Sequence, residues 1–158
     1  MNIDKLIIRQ AFENDLVDIQ KLFVDTISSV CINDYNPYQI KVWTLSIEDT
    51  QRWLDKLSNQ YFLIAQFGKR IVGFGSLDNN NDIDLLYVHK DFQGQGIANR
   101  LLVELEQEAK KHDAKTVTSA VSINAKSFFE KKGFTTLNEQ IVNIKGIDLV
   151  NYKMTKSI

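Results

Sequence analysis

The chain has 158 residues, with nineteen basic and twenty acidic side chains, a formal charge of −1, 44% hydrophobic and 25% charged residues. That length suits one compact domain over residues 1–158 with a sizeable core. The charge balance excludes a dedicated nucleic-acid surface, which would be basic, and no apolar run approaches the roughly 18 residues of a membrane span. The lone Cys31 excludes an internal disulfide and fits a reducing compartment. Met1-Asn2-Ile3-Asp4-Lys5 lacks the basic-then-apolar pattern of a leader, so a cytoplasmic location is expected.

Leu6-Ile7-Ile8 reads as a short first strand. Leu16, Ile19, Phe23, Ile27 and Val30 recur at helical spacing, with Asn14 as N-cap. Cys31 ends that apolar stripe and reads as a small buried hydrophobe. Residues 33–58 are expected to be helical in two pieces, one started by Pro37, the other by a capping box from Ser46 to Asp49. Tyr61–Phe67 and Arg70–Leu77 pair as a hairpin around Gly68-Lys69. The patch Asp78-Asn79-Asn80-Asn81-Asp82 is a turn leading to a strand over Ile83–Val88. A long amphipathic helix follows from Ile97 to about Lys111, with Ile97, Leu101, Leu105 and Ala109 on one face. Thr116–Val121 is strand-like, Ala125–Lys132 is helical up to Gly133, and two closing strands, about 134–145 and 148–155, meet at Lys145-Gly146. The expected class is α/β, a mixed, mostly antiparallel sheet with helices on both sides, in the order β-α-α-β-β-β-α-β-α-β-β. No repeat or Pro/Gly/Ser-rich linker divides the chain.

The most informative segment is Gln93-Gly94-Gln95-Gly96-Ile97-Ala98, between the strand ending at Val88 and the long helix. Glycines there permit positive φ and leave no β-carbon over the helix start. The first N–H groups of a helix lack helical partners and carry the positive end of its dipole, which together make an anion cradle. A P-loop would need Lys-Ser or Lys-Thr after the glycines, and none follows. A dinucleotide fingerprint would need a third glycine where Asn99 stands, and an acid at the next strand end; Asp113 lies instead where the helix ends.

Gln93-x-x-Gly96-x-Ala98 resembles the Gln/Arg-x-x-Gly-x-Gly/Ala pyrophosphate loop of the GNAT superfamily of N-acetyltransferases. Leu86-Tyr87-Val88-His89-Lys90-Asp91-Phe92 is similar to that family's fourth strand and turn. Ala125-Lys126-Ser127-Phe128-Phe129-Glu130-Lys131-Lys132-Gly133-Phe134 is similar to its Ala-x-x-x-Tyr-x-x-x-Gly-Phe segment. These matches cover roughly residues 60–135. Asp34-Tyr35-Asn36-Pro37-Tyr38-Gln39-Ile40 with Trp43 is similar to the YafP-like branch.

The resemblance implies an N-acetyltransferase that moves an acetyl group from acetyl-CoA to the primary amine of a small molecule or peptide, without a metal. It implies that Gln93, Gly94, Gln95, Gly96, Ile97 and Ala98 hold the pyrophosphate. Backbone groups of Leu86, Tyr87 and Val88 would bind the pantetheine arm like an added strand, with the Val88 N–H polarising the thioester, and Phe128 and Phe129 would flank the arm. A phenylalanine stands at 129 where the family carries a proton-donating tyrosine, and Ser122 stands where it carries an asparagine. That departure leaves open a non-catalytic acyl-CoA-binding or sensor module. Candidates for acid or base are Asp84, Tyr87, His89 and Tyr152, of which His89 reads as a solvated surface residue. Tyr35, Tyr38, Trp43 and Trp53 are candidate walls of the acceptor pocket, and Asp34 and Glu48 are acids that could attract a cationic amine. A homodimer through the closing strands is a further expectation, with no nucleic-acid or membrane partner.

Overall fold

The computed structural model describes residues 2–158. Seven strands form one sheet: β1 (Ile7–Gln10), β2 (Tyr61–Phe67), β3 (Arg70–Asp78), β4 (Asp82–Val88), β5 (Thr116–Ser122), β6 (Thr135–Ile144) and β7 (Ile147–Ser157). Their order across the sheet is β1-β2-β3-β4-β5-β7-β6. Each adjacent pair is antiparallel except β4–β5. The five α-helices are α1 (Leu16–Val30), α2 (Pro37–Thr44), α3 (Thr50–Asn59), α4 (Ile97–Lys111) and α5 (Lys126–Lys131).

Strand alternation divides the core into two layers, since successive side chains point to opposite faces. Leu63, Ala65 and Val72 pack with Ile97, Leu101, Leu105 and Phe129 on the α4–α5 side. Phe62, Ile64 and Phe74 pack with Ile19, Phe23, Ile27 and Trp53 on the α1–α3 side. Each Leu or Ile fully buried in these layers contributes about 1.5–3 kcal/mol.

The expected class and element types are present, with local differences at helix starts. The segment 33–58 yields two separate helices joined by a 3₁₀ turn, Leu45–Glu48, so one more helix precedes β2 than the expected order carried. Helix α1 starts after Asp15, not Asn14. Asp15 accepts from the Phe12 N–H at 2.6 Å and pairs with Arg9 at 2.9 Å, and these bonds hold the chain's entry into the helix. The capping box expected from Ser46 is absent: Ser46 lies inside the 3₁₀ turn, and Asp49 is itself the N-cap, accepting from the Arg52 N–H at 3.1 Å. Pro37 does open α2, and the capping box there is Asn36 with Gln39.

The parallel β4–β5 pairing is short. Only Asp82 with Thr118 and Ile83 with Ser119 are in register. Beyond them the strands part. On the other edge of β4, Ser76 faces Leu85 and Leu77 faces Ile83, leaving Asp84 without a partner. An extra residue of this kind is a β-bulge, which bends its strand and re-aims its side chains. The bulge therefore coincides with the point where β4 and β5 separate.

Candidate functional site

Two cavities open along this separation. The first, about 380 Å³, is lined by Val88, Phe92, Gln93, Gly94, Gly96 and the start of α4, and closed by Phe128 and Lys131 of α5 and its C-cap Lys132. The second, about 610 Å³, lies toward α1–α3 and has Trp43, Trp53, Tyr87 and Asn151 among its walls. Leu86, Asn124, Ala125 and Phe129 line both, so the two meet there. A volume of 300–1,000 Å³ is usual for small-molecule sites.

The wall of the smaller cavity is the glycine loop. Gly94 has φ 72° and Gly96 φ 83°, left-handed values that favour glycine. An added β-carbon at either would meet nothing within 4 Å, so both backbones face open space. Gly96 is the N-cap of α4 and offers no side chain to it. Among the described residues none of the backbone N–H groups from Gln93 to Asn99 has an acceptor; the first paired one is Arg100, on the Gly96 carbonyl at 3.1 Å. The Gln93 side chain is already engaged, because its amide donates to the Val88 carbonyl and ties the loop back to β4. Gln95 lines neither cavity.

Strand β4 presents backbone groups to the same gap. The His89 N–H donates to Val72 of β3 at 2.8 Å. Alternation then turns the N–H groups of Val88 and Leu86 to the opposite edge, where β5 has moved away. The His89 ring is packed edge-on against Phe92 with ring centres 5.8 Å apart, and its side chain is 12% exposed, so it is less solvated than expected.

In the larger cavity the expected residues separate. Asp84, on the bulge, is held by Lys56 and by the Gln60 amide at 2.9 Å, both on Oδ2, which leaves Oδ1 unpartnered. Burial pushes the Tyr87 hydroxyl well above the usual phenol range, with nearby Cys31 and Asp84 adding to the effect. Tyr35 is a buried wall whose hydroxyl is fully used, donating to the Val150 carbonyl at 2.6 Å and accepting from the Ile123 N–H at 3.1 Å. Trp43 packs edge-on against it with centres 5.2 Å apart. Trp53 is both core and wall, with its indole N–H on the Ser46 carbonyl at 3.0 Å. Tyr38 is 72% exposed and lines neither cavity, since α2 turns it to solvent. Tyr152 also lies outside both cavities. It alternates with Asn151 on β7, so it packs on the α4–α5 side beneath the Lys126 ammonium, 4.4 Å from the ring centre.

Residues not singled out from the sequence as site candidates complete the walls. Cys31 is buried but faces the larger cavity, and its thiol contacts Asn124 Oδ1 at 3.3 Å. Burial, then the nearby Asp34 charge, pushes the thiol up to about 12, against the opposing Asn124 hydrogen bond. The native thiol thus keeps its proton where an unfolded one, near 9.0, loses it. Above pH 9 the unfolded chain binds fewer protons, and stability falls with rising pH. From Cys31 alone the expected slope is about 1.4 kcal/mol per pH unit. Thermal melts from pH 8 upward test this, and Cys31→Ala is expected to flatten the curve; an unchanged curve would refute it.

Asn151 is the neighbour to which alternation gives the cavity-facing position. Among the described residues its Oδ1 is buried without a hydrogen-bond partner and its amide donates to no group. An unsatisfied buried polar atom costs about 1–3 kcal/mol. Asn151→Leu is therefore expected to raise the melting temperature by several degrees at about 2–4 °C per kcal/mol, and a fall would contradict the assignment.

Comparison with known proteins accords with this geometry. The family profile of the acetyltransferase (GNAT) domain matches residues 31–156. The uncharacterized N-acetyltransferase YafP of Escherichia coli is 30% identical over 147 residues, 93% of either chain. A crystal structure of a GCN5-related N-acetyltransferase from Rhodopseudomonas palustris superposes with a TM-score of 0.95 at 33% identity, covering 100% of this chain and 99% of that one. The PaiA N-acetyltransferase of Thermoplasma acidophilum, solved with coenzyme A, shares the fold at a TM-score of 0.79 and 21% identity, covering 97% and 99%. Among the described residues no helix is long and apolar enough to cross a membrane. The chain belongs to the GNAT acetyltransferase family and is an acyltransferase of that kind.

Proposed function

We propose that the protein transfers the acetyl group of acetyl-CoA directly to a primary amine of a small molecule or peptide. The observation that carries this reading is the run of N–H groups from Gln93 to Asn99 without acceptors, beside a cavity that joins a second, aromatic one. Hydrogen bonds to a charged group are worth about 1.5–3 kcal/mol each, so several of these amides suffice to hold a diphosphate. Lys131 and Lys132 add positive charge at the same wall. The PaiA structure contains coenzyme A, which fits the same expectation for this fold.

Acetyl-CoA supplies an acetyl thioester, and the chain's own groups do the rest. The Val88 N–H would receive the negative charge that builds on the carbonyl oxygen. Asp84 Oδ1 would take the proton of the attacking amine, directly or through water. As the N–C bond forms, the C–S bond breaks and its electron pair leaves with sulfur. Phe129 has no proton to give and burial disfavours the Tyr87 phenolate, so the thiolate would leave without an acid from either ring and take its proton from water. A thiol ionising near 8.5 in model compounds needs little help to leave. Cys31 stays protonated and is a poor nucleophile, which favours direct transfer over an acyl-cysteine route. The test is thiol release from acetyl-CoA across a panel of primary amines. Amine-dependent release is expected; release independent of any amine would refute transfer.

A further inference from the structure

The charged residues of the larger cavity are unevenly matched. Its walls hold three cations, Arg52, Lys56 and Lys145, against one carboxylate, Asp84. Lys56 is spent on Asp84. Arg52, on α3, and Lys145, in the β6–β7 turn, form no ion pair among the described residues, and both are exposed at the cavity's outer part. Asp34 and Glu48, the acids expected to draw a cationic amine, do not line it. The remaining titratable groups facing the space are Cys31, Tyr35 and Tyr87, all neutral at ordinary pH because burial pushes them up. Outside the cavity Arg52 also borders Asp49 and Asp55 in a neighbouring groove, and Asp148 lies on the hairpin of Lys145, but inside it these two cations outside any ion pair set the local field, in a cleft whose aromatic walls concentrate it.

From these walls we infer that the acceptor is an amine bearing an acidic group on an apolar body, with the acid read by Arg52 and Lys145. This rests on the acetyltransferase reading and narrows it. An aromatic enclosure with two outer cations suits an anionic tail and an apolar middle, and leaves the amine at the inner end near Leu86 and Asn124. The same cations serve the chemistry. A lysine-like ammonium has a pKa near 10.4 and cannot attack until it loses a proton. Like charge nearby disfavours the charged form, so the cavity favours the neutral, reactive amine. A polyamine would meet repulsion at its outer end, beside Arg52 and Lys145.

The test compares three probes of one chain length: aminohexanoate, hexylamine and diaminohexane. The expected order of kcat/KM is aminohexanoate first, hexylamine at least about tenfold lower, and diaminohexane lowest. In Arg52→Gln/Lys145→Gln the preference for aminohexanoate over hexylamine is expected to shrink by about tenfold. The acidic limb of the hexylamine pH profile should then move to higher pH. Equal turnover of the three probes, a preference for diaminohexane, or no turnover of aminohexanoate would overturn the inference. A retained melting shift with coenzyme A in each variant would show that the cofactor reading stands even so. Loss of that shift in the wild-type chain would sink the acetyltransferase reading itself.

Discussion

Replacing Gly96 by glutamate is expected to abolish coenzyme A binding while leaving a folded protein. At ligand about a hundred times Kd, binding stabilises the native state by about 2.7 kcal/mol, which for this chain length is a rise of about 5–10 °C in Tm. Gly96 caps α4 at φ 83° with open space beyond it. A glutamate there would put a carboxylate among N–H groups that otherwise await an anion, and a β-carbon between the backbone and its ligand. The left-handed backbone adds about 1–2 kcal/mol of strain for a side chain, so the unliganded Tm should drop by a few degrees. Gly68→Glu is the matched control. Gly68 is also left-handed, at φ 53° with nothing nearby, but lies in the β2–β3 hairpin outside both cavities. Gly68→Glu should keep the ligand-induced rise. A rise of wild-type size in Gly96→Glu would contradict the site.

Asp84→Asn is expected to cost between about a hundredfold and ten-thousandfold in kcat/KM for the amine, the range for loss of a general acid or base. The variant keeps the side chain's shape but cannot take a proton at neutral pH. Coenzyme A should still raise its Tm, because Asp84 lies outside the cradle cavity. The substitution also breaks the pair with Lys56. Lys56→Met breaks the same pair and leaves the carboxylate, so it should lose much less activity than Asp84→Asn. Activity of Asp84→Asn within about threefold of wild type, or equal losses in the two variants, would remove Asp84 as the base.

The parts of the site carried by local chemistry were legible in the sequence. Two glycines between an apolar strand and an amphipathic helix announce a backbone cradle, and φ 72° and 83° agree with what glycine permits. Asn36-Pro37 and Lys145-Gly146 mark a helix start and a tight turn for equally local reasons. The parts that depend on pairing across the sheet were not legible. The bulge at Asp84 exists only in the register between β3 and β4. Which of Asn151 and Tyr152 faces the larger cavity depends on the parity of β7, which no single residue type signals. Cys31, at the C-cap of α1, meets Asn124, 93 positions away, in the turn that follows β5. Asp84 meets Lys56 across 28 positions for a similar reason. Tyr38 drew attention as an aromatic beside a turn, yet helix α2 presents it to solvent.

The proposed activity requires that the backbone amides of the glycine loop hold a diphosphate. Amide nitrogen–proton spectra of the full chain, recorded as coenzyme A is added, test it residue by residue. The largest shifts are predicted at Gln93 through Asn99, with Val88 and Leu86 following as the pantetheine arm enters the gap beside β4. Saturating coenzyme A that left the signals of Gln93 to Asn99 in place, or moved a different surface instead, would contradict it.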